Sequence, residues 1–327
     1  MSEALKLTDF RVSFPTLSGD VQAVRGVDLA VNQGELLAVV GESGSGKSVT
    51  FLGLMGLLPN SAVIGGSAVL DGVELVGADP KVVRRARGKK IAMIFQDPLS
   101  SLNPVQRIGV QIVEMIQSHQ DMSKRAASTR AVELLDMVGI PQPDQRSLQY
   151  PHEFSGGMRQ RVMIAMAIAN EPAVLIADEP TTALDVTVQA QILEVLQRIK
   201  TELNAAIVLI THDLGVVARV ADRVEVMYAG RPAEMGSIDA LFDHPSHPYT
   251  VGLMRSLPSS DRERLVPIPG APPNMLAPPS GCAFRPRCPH AAPVCAGDVP
   301  SLRPFGDLET ACVRAEEIAA ELIEAVR

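Results

Sequence analysis

The stretch Gly41-Glu-Ser-Gly-Ser-Gly-Lys47-Ser48 decides the fold, because it fits the pattern G-x-x-x-x-G-K-[ST]. An apolar run at 36–40 precedes it, and a helical pattern of apolar residues at 51–58 follows it. In this strand, loop and helix context the glycines let the backbone wrap a phosphate, and backbone N–H groups face that phosphate. Lys47 adds a positive charge and Ser48 can ligate Mg²⁺. The stretch predicts a nucleoside-triphosphate site in a P-loop fold.

Short apolar runs rich in Val, Ile and Leu recur along the chain, at 36–40, 91–95, 174–177, 207–210 and 224–228. Continuous apolar runs are typical of strands that are buried on both faces. Between two of these runs, residues 188–203 place apolar side chains at helical spacing with polar side chains opposite. The alternation predicts an α/β fold with a mostly parallel sheet covered by helices.

The chain has 327 residues, and the absence of an internal repeat in its sequence predicts a single nucleotide-binding unit. We place this unit at 1–230. Residues 108–138 within it have helical periodicity and no strand-like run, which predicts a helical subdomain at about 100–165.

The composition changes after Gly230, and we interpret 231–327 as a small C-terminal extension. Prolines are concentrated at 267–279, a spacing that excludes helix and central strand and predicts an extended linker. A terminal helix is expected after it, with Ile318, Leu322 and Val326 on one face.

Charge and hydropathy limit the partners of the chain. The net charge of −7 provides no overall basic field for nucleic acid, so no nucleic-acid partner is expected.

The N-terminal sequence MSEALKLTDF lacks the basic start and apolar core of a secretory signal. The most apolar interior stretch, at 162–177, is interrupted at 170–172 and falls short of the ~20 residues that span a bilayer. We expect a cytosolic chain that reaches a membrane only through partner proteins.

Two adjacent carboxylates, Asp178 and Glu179, follow the apolar run at 174–177. Asp178 suits the Mg²⁺ shell, and Glu179 suits the orientation and deprotonation of the attacking water. A solvated acid pair at a strand end is the alternative, which the presence of a P-loop motif in the same chain disfavours. A P-loop by itself is compatible with GTPases, nucleotide kinases, recombinases and transport ATPases. The sequence contains no Asn-Lys-x-Asp guanine reader, which counts against a GTPase.

The stretch Phe154-Ser-Gly-Gly-Met-Arg-Gln-Arg161 narrows the choice, because it resembles the Leu-Ser-Gly-Gly-Gln signature of the ABC ATPases. Phe154 and Met158 differ from that signature, while its Ser-Gly-Gly core is intact. Taken alone, Ser-Gly-Gly before a helix would be an ordinary N-cap. The resemblance implies that the core caps the γ-phosphate of ATP bound to the opposite subunit, through Ser155, Gly156 and Gly157.

Other positions match the same family in order along the chain. The resemblance implies that Gln96 is the Q-loop glutamine, which links Mg²⁺ and the attacking water to the transmembrane partner. It also implies that Ala183-Leu184-Asp185 is the D-loop at the dimer seam and that His212 is the switch histidine at the γ-phosphate. Phe14 lies where the family has an aromatic that stacks on adenine, with a role in the core as the alternative.

The predicted ATP site therefore has three sets of residues. The catalytic set is Glu179, His212 and Gln96. The nucleotide-binding set is Phe14, Ser43, Gly44, Ser45, Gly46, Lys47, Ser48, Val49, Asp178, Ser155, Gly156, Gly157 and Asp185. The Mg²⁺ set is Ser48, Gln96 and Asp178. Since the signature serves the site of the other subunit, we expect two such subunits to close together on ATP.

The resemblance extends over nearly the whole chain and narrows to the ATPases of bacterial dipeptide and oligopeptide importers, through the runs at 150–161, 180–191, 247–250 and 281–289. It implies two permease subunits, a second homologous but different ATPase, and an extracytoplasmic peptide-binding protein. The expected location is peripheral, at the cytoplasmic face of the bacterial inner membrane. The alternatives are an importer of nickel or another small solute, and a non-transport ABC ATPase that acts on ribosomes or DNA.

All four cysteines follow the proline-rich segment, at Cys282, Cys288, Cys295 and Cys312. Their spacing differs from that of zinc sites and bacterial ferredoxins, and a reducing cytosol argues against disulfides. Resemblance to the importer branch implies a [4Fe–4S] cluster held by these cysteines. Zinc and free thiols are the alternatives.

Overall fold

A computed structural model describes residues 2–182, 184–256 and 267–326. The strands in these ranges are β1 (Glu3–Thr16), β2 (Gly19–Asn32), β3 (Leu36–Val40), β4 (Val63–Leu70), β5 (Val73–Glu74), β6 (Ile91–Ile94), β7 (Val174–Asp178), β8 (Ala206–Thr211), β9 (Arg223–Tyr228), β10 (Arg231–Ser237), β11 (Arg303–Phe305) and β12 (Leu308–Thr310). The helices are α1 (Lys47–Leu54), α2 (Pro80–Ala86), α3 (Pro98–Ser101), α4 (Ile108–Gln117), α5 (Lys124–Met137), α6 (Pro143–Arg146), α7 (Gly156–Ala167), α8 (Val186–Leu203), α9 (Leu214–Val220), α10 (Ile238–Asp243), α11 (Pro248–Arg255) and α12 (Ala315–Val326).

These elements form two compact units. The first unit holds the described residues among 2–5, 31–35 and 70–209, and the second holds those among 6–30, 36–69 and 210–326.

In the first unit, β6 and β7 are parallel and pair from Ile91 with Val174 to Ile94 with Ala177. Every residue in this paired region is buried, which confirms the prediction of strands covered on both faces. Strand β6 ends at Ile94, so Phe95, predicted as its last residue, lies outside the strand and is 39% exposed. The parallel pairing with β7 reaches only Ile94, so the strand is one residue shorter than predicted.

Helices complete the first unit. Helix α4 packs on α5, and both contact α7, which confirms the helical subdomain. Helix α8 buries the apolar stripe predicted from the sequence, with Ile192, Leu196 and Ile199 fully enclosed. No helix in the described ranges is both long and apolar enough to cross a membrane.

In the second unit, β3 is parallel to β9, and β9 is antiparallel to β10. Strand β12 continues the sheet beyond β10 in antiparallel pairing, from Glu234 with Thr310 to Gly236 with Leu308. Strand β11 pairs with β12 at the edge. The C-terminal part of the chain therefore shares a sheet with the strand that enters the phosphate-binding motif.

The terminal helix α12 packs against α11. A buried cluster joins them, and it contains Val251, Cys312, Ala315, Ile318 and Leu322, with Val326 packed at its edge. The predicted face of the terminal helix is thus confirmed as its buried face. The prolines at 267–279 lie in a segment without helix or strand.

Candidate functional site

The phosphate-binding loop leaves β3 after Val40 and enters α1 at Lys47. Gly41 has a φ of 153°, and a Cβ atom on it would lie 2.2 Å from the carbonyl oxygen of Met227. Gly46 has a φ of 101°, and a Cβ atom there would lie 2.6 Å from the carbonyl oxygen of Ala23. Backbone atoms cannot withdraw as a flexible side chain can, so both positions require glycine.

Lys47 is 6% exposed and is held inside the loop that it follows. Its ammonium group donates hydrogen bonds to the carbonyl oxygens of Gly41, at 2.6 Å, and Glu42, at 3.0 Å. Ser45 is buried beside it, whereas Ser43 and Gly44 are exposed at the tip of the loop. The charge that the sequence predicts for phosphate binding therefore lies within the loop.

The two strand-end carboxylates occupy different backbone environments in the first unit. Asp178 is the last residue of β7, while Glu179 has a φ of 46°, in the left-handed region that side chains other than glycine rarely adopt. Gln96 Nε2 donates to Glu179 Oε2 at 3.0 Å, and the Thr182 hydroxyl donates to the same oxygen at 2.9 Å. The structure brings Gln96 and Glu179 together, and strained backbone of this kind is common at functional sites.

The signature stretch opens α7 in the first unit. Ser155 caps this helix, since its hydroxyl accepts a hydrogen bond from the Met158 N–H at 3.3 Å. Ser155 and Gly156 are exposed. A helix N-terminus with exposed residues suits an anionic ligand, so the N-cap geometry and the phosphate-capping role are compatible.

The segment after the strand-end acids leads into α8. Asp185 caps α8 by accepting from the Val188 N–H at 3.0 Å. A Cβ atom on Gly157 would lie 2.4 Å from Val188 Cγ1, so α7 and α8 meet where a side chain would not fit. Ala183, predicted as the start of the D-loop, lies outside the described residues.

Two further predicted residues lie in the second unit, as the phosphate loop does. His212 directly follows β8 and is exposed. Phe14 lies on β1 and is half-buried. The predicted roles of these side chains at the γ-phosphate and at adenine stay predictions.

The cysteines gather in the C-terminal part of the second unit. The Cys282 N–H donates to the Cys295 carbonyl oxygen at 2.9 Å. Burial, together with repulsion from Cys282 and Cys295, raises the pKa of Cys288 to about 11. Burial, together with repulsion from the other three cysteines, raises the pKa of Cys312 to about 12. In the described part of the chain, no group of three or more His, Cys, Asp or Glu side chains is arranged to hold a metal ion.

Sequence reasoning missed one contact of the phosphate loop. Arg287 donates two hydrogen bonds to the carboxylate of Glu42, and the Tyr249 hydroxyl accepts from the Glu42 N–H at 2.7 Å. In the sequence, Glu42 fills a variable position of the loop motif. Tyr249 and Arg287 lie in two of the runs that carry the resemblance to peptide importers, but nothing in those runs indicates which partner they contact.

Family models and known proteins match most of this chain. Residues 24–182 match the family described as ABC transporter, and residues 233–295 match the oligopeptide/dipeptide transporter C-terminal region. The oligopeptide transport ATP-binding protein OppD of Salmonella typhimurium is 52% identical over 303 residues, which are 92% of this chain and 90% of that protein. The dipeptide transport ATP-binding protein DppD of Bacillus subtilis is 51% identical over 299 residues, 90% of this chain and 89% of that protein.

Solved structures show the same fold. An ATP-binding cassette, solved as a dimer in a post-hydrolysis state with ADP and Pi, superposes with a TM-score of 0.64 at 26% identity. The match covers 72% of this chain and 98% of that structure. The chain belongs to the ABC transporter family of ATP-hydrolysing proteins. Within that family, its curated relatives are the ATP-binding subunits of oligopeptide and dipeptide transporters.

We predict that Gly157→Ala lowers the free energy of unfolding by about 1–3 kcal/mol, because the new methyl group overlaps Val188, whose branched side chain is stiff. Urea unfolding of the full chain measures this. Gly156→Ala is the matched control, since its Cβ atom would lie 3.9 Å from Leu184 Cδ2. Val188→Ala should restore stability in the Gly157→Ala background. Equal stability of the two alanine variants would contradict the close approach.

Proposed function

We propose that this chain is an ATP-hydrolysing subunit of a membrane importer of dipeptides or oligopeptides. The observation that carries the proposal is the match of residues 233–295 to the oligopeptide/dipeptide transporter C-terminal region, in a chain that also has the ABC cassette. Both curated relatives named above are peptide transport ATP-binding proteins and align over about nine-tenths of their length.

The phosphate loop binds the nucleotide in this proposal. Backbone N–H groups of residues 43–49 face the phosphates, Lys47 exchanges its carbonyl contacts for phosphate oxygens, and Phe14 stacks on adenine. Ser48, Gln96 and Asp178 would hold Mg²⁺, which neutralises charge on the phosphates. His212 contacts the γ-phosphate.

Glu179 acts as the general base in the same proposal. Its Oε2 atom accepts hydrogen bonds from Gln96 and Thr182, and these two donors fix the orientation of the carboxylate. An oriented carboxylate can align the attacking water and take its proton. The contact with Gln96 also supplies a physical link between the base and the loop that begins where β6 ends.

The signature serves a second subunit. Ser155, Gly156 and Gly157, with Asp185 at the seam, present a helix N-terminus to the γ-phosphate across the dimer. The exposure of Ser155 and Gly156 supports this role, as does the dimeric state of the related cassette. The second ATPase is proposed to be a homologous but different chain.

Two permease subunits and an extracytoplasmic peptide-binding protein complete the proposed importer, at the cytoplasmic face of the bacterial inner membrane. The helical subdomain offers a surface for a permease. Val110 and Leu148 are exposed there, and they line a cavity of about 190 Å³ together with Arg107 and Lys124. Apolar side chains rimmed by positive charge suit a partner segment of mixed apolar and acidic character.

The four cysteines are proposed to hold a [4Fe–4S] cluster, with zinc as the alternative. In the described residues these cysteines are not arranged as a metal-ligand group, and two observations show only that their segments lie near one another. Gly281, with a φ of 66°, has no room for a Cβ atom beside the Cys295 carbonyl oxygen, and this close approach joins the segments of Cys282 and Cys295. Each of the other three thiolates also contributes repulsion at Cys312. Thiolates suit iron–sulfur iron or zinc, and such a centre would cross-link a short, loop-rich segment.

In proteoliposomes that contain the chain with its permeases and partner ATPase, we expect peptide-loaded binding protein to raise ATP turnover, because solute loading drives closure of the two half-sites. Phosphate release measures turnover, with unloaded binding protein as the control. Nickel salts are tested in the same assay. Stimulation by nickel and not by peptides would overturn the peptide assignment.

Glu179→Gln should reduce ATP turnover by about 10²–10⁴ while MgATP binding persists, because the amide keeps the shape of the side chain and cannot take a proton. Single-turnover hydrolysis in the assembled transporter measures the loss. Glu194→Gln, at an exposed position on α8, is the control and should match the wild type. Turnover near the wild-type rate in the Glu179→Gln transporter would exclude this residue as the base.

Anaerobic purification should give a brown protein whose broad visible absorption is bleached by reductant, with iron and sulfide present. Cys288→Ser should lose the metal, whereas Ser280→Ala, at an exposed position near Cys282, should retain it. Stoichiometric zinc without iron would establish the alternative. A protein free of both metals would refute shared ligation by the cysteines.

A further inference from the structure

Arg287 and Glu42 form a two-point ion pair in the second unit. Arg287 Nη1 lies 2.6 Å from Glu42 Oε2, and Arg287 Nη2 lies 2.9 Å from Glu42 Oε1. The side chain of Arg287 is 4% exposed and that of Glu42 is 27% exposed. A bidentate, charge-assisted pair shielded from water in this way is stronger and more directional than an exposed pair.

The rest of the Arg287 side chain is fixed by residues of the C-terminal extension and of β9. Arg287 Nε donates to the carbonyl oxygen of Pro269 at 2.8 Å, in the proline-rich segment. The guanidinium carbon lies 5.8 Å from the ring centres of both Tyr228 and Phe284. Hydrogen bonding to Glu42 is the main cause that raises the pKa of Arg287 above its usual range. The guanidinium therefore has one well-defined position.

A second contact holds the backbone of the same loop residue. The Glu42 N–H donates to the hydroxyl of Tyr249, whose side chain is fully buried. The Tyr249 ring packs against Tyr228 and Phe284, with ring centres 4.6 Å and 5.4 Å apart. Side chain and backbone of Glu42 are thus both bound by residues that lie after 230 in the chain.

Glu42 has a direct connection to the phosphate-binding lysine. Its carbonyl oxygen accepts a hydrogen bond from Lys47 Nζ, so Glu42 contacts Lys47 on one side and Arg287 on the other. A carboxylate in a loop that receives a triphosphate repels that ligand unless its charge is compensated. Arg287 supplies the compensating charge and holds the carboxylate in place.

We propose that Arg287 is a positioning residue for ATP binding, which neutralises and anchors Glu42 so that the C-terminal extension sets the affinity of the phosphate loop. The C-terminal extension therefore influences nucleotide affinity, in addition to stabilising its own fold. The inference rests on ATP binding by the cassette and is independent of which solute is transported.

Arg287→Met tests the proposal in the full-length chain, with MgATP binding followed by calorimetry. The dissociation constant should rise at least about fivefold, the lower end of typical coupling between two sites. Arg285→Met is the matched control, because Arg285 lies in the same loop and makes none of the contacts to Glu42 described above. A rise of the same size in both variants would overturn the proposal.

Two more variants separate charge compensation from a purely structural role. In Glu42→Gln with Arg287→Met, the uncompensated carboxylate is gone, so MgATP should bind more tightly than in Arg287→Met alone. Equal affinity of these two proteins would refute compensation. Arg287→Lys keeps the positive charge and loses the two-point contact, so its dissociation constant for MgATP should rise less than that of Arg287→Met. If Arg287→Met does not fold, Arg287→Lys provides the test. Wild-type affinity in Arg287→Lys would then overturn the proposal.

In the assembled transporter, Arg287→Met should raise the KM for ATP and leave kcat near the wild-type value, because Glu179 and Gln96 are untouched. A purely structural role would lower the melting temperature and leave KM unchanged, which contradicts the proposal. Binding of MgATP by the wild-type chain is measured without any peptide. Failure of this inference is therefore distinguishable from failure of the peptide assignment.

Discussion

The phosphate loop can form only where no side chain separates it from the backbone of its neighbours. Gly41 lies against the Met227 carbonyl oxygen of β9, and Gly46 lies against the Ala23 carbonyl oxygen of β2. These contacts set the path of the loop, and that path places Lys47 among the loop's own carbonyl oxygens. The strands that support the loop must therefore be rigid, and β3 and β9 are buried along almost their whole length.

The same sheet supports the C-terminal part of the chain. Strand β10 follows β9 directly and pairs with β12, so the extension joins the sheet through backbone hydrogen bonds. A buried carboxylate, that of Glu234, lies on β10 at this junction. Glu234 accepts hydrogen bonds from Ser246 and from the His247 N–H, and burial raises its pKa to about 7. Enclosed polar groups need such partners, and these partners fix the segment that leads into α11 and to Tyr249.

The first unit contains a strained backbone position at the end of a buried strand. Glu179 adopts a left-handed backbone immediately after β7, which aims its carboxylate at Gln96 and Thr182. The strand before it and the capped helix α8 after it constrain the turn from both ends. Strain of this kind persists where the surrounding structure enforces it. The position of the Glu179 carboxylate depends on the order of buried strand, turn and capped helix.

The sequence by itself determined the local elements and the class of protein. Buried strands, the glycine loop, the signature helix and the terminal helix follow from apolar periodicity and from residue types that tolerate particular backbone angles, and these depend only on near neighbours in the chain. The tertiary structure alone decided which distant groups meet. Glu42 and Arg287 are 245 residues apart, and nothing in the sequence indicated their contact. The family resemblance placed Gln96 and Glu179 in one catalytic set, but the hydrogen bond between these residues, 83 apart, is seen only in the fold. No local pattern encodes such pairs, because they exist only after the strands have paired and the side chains have packed.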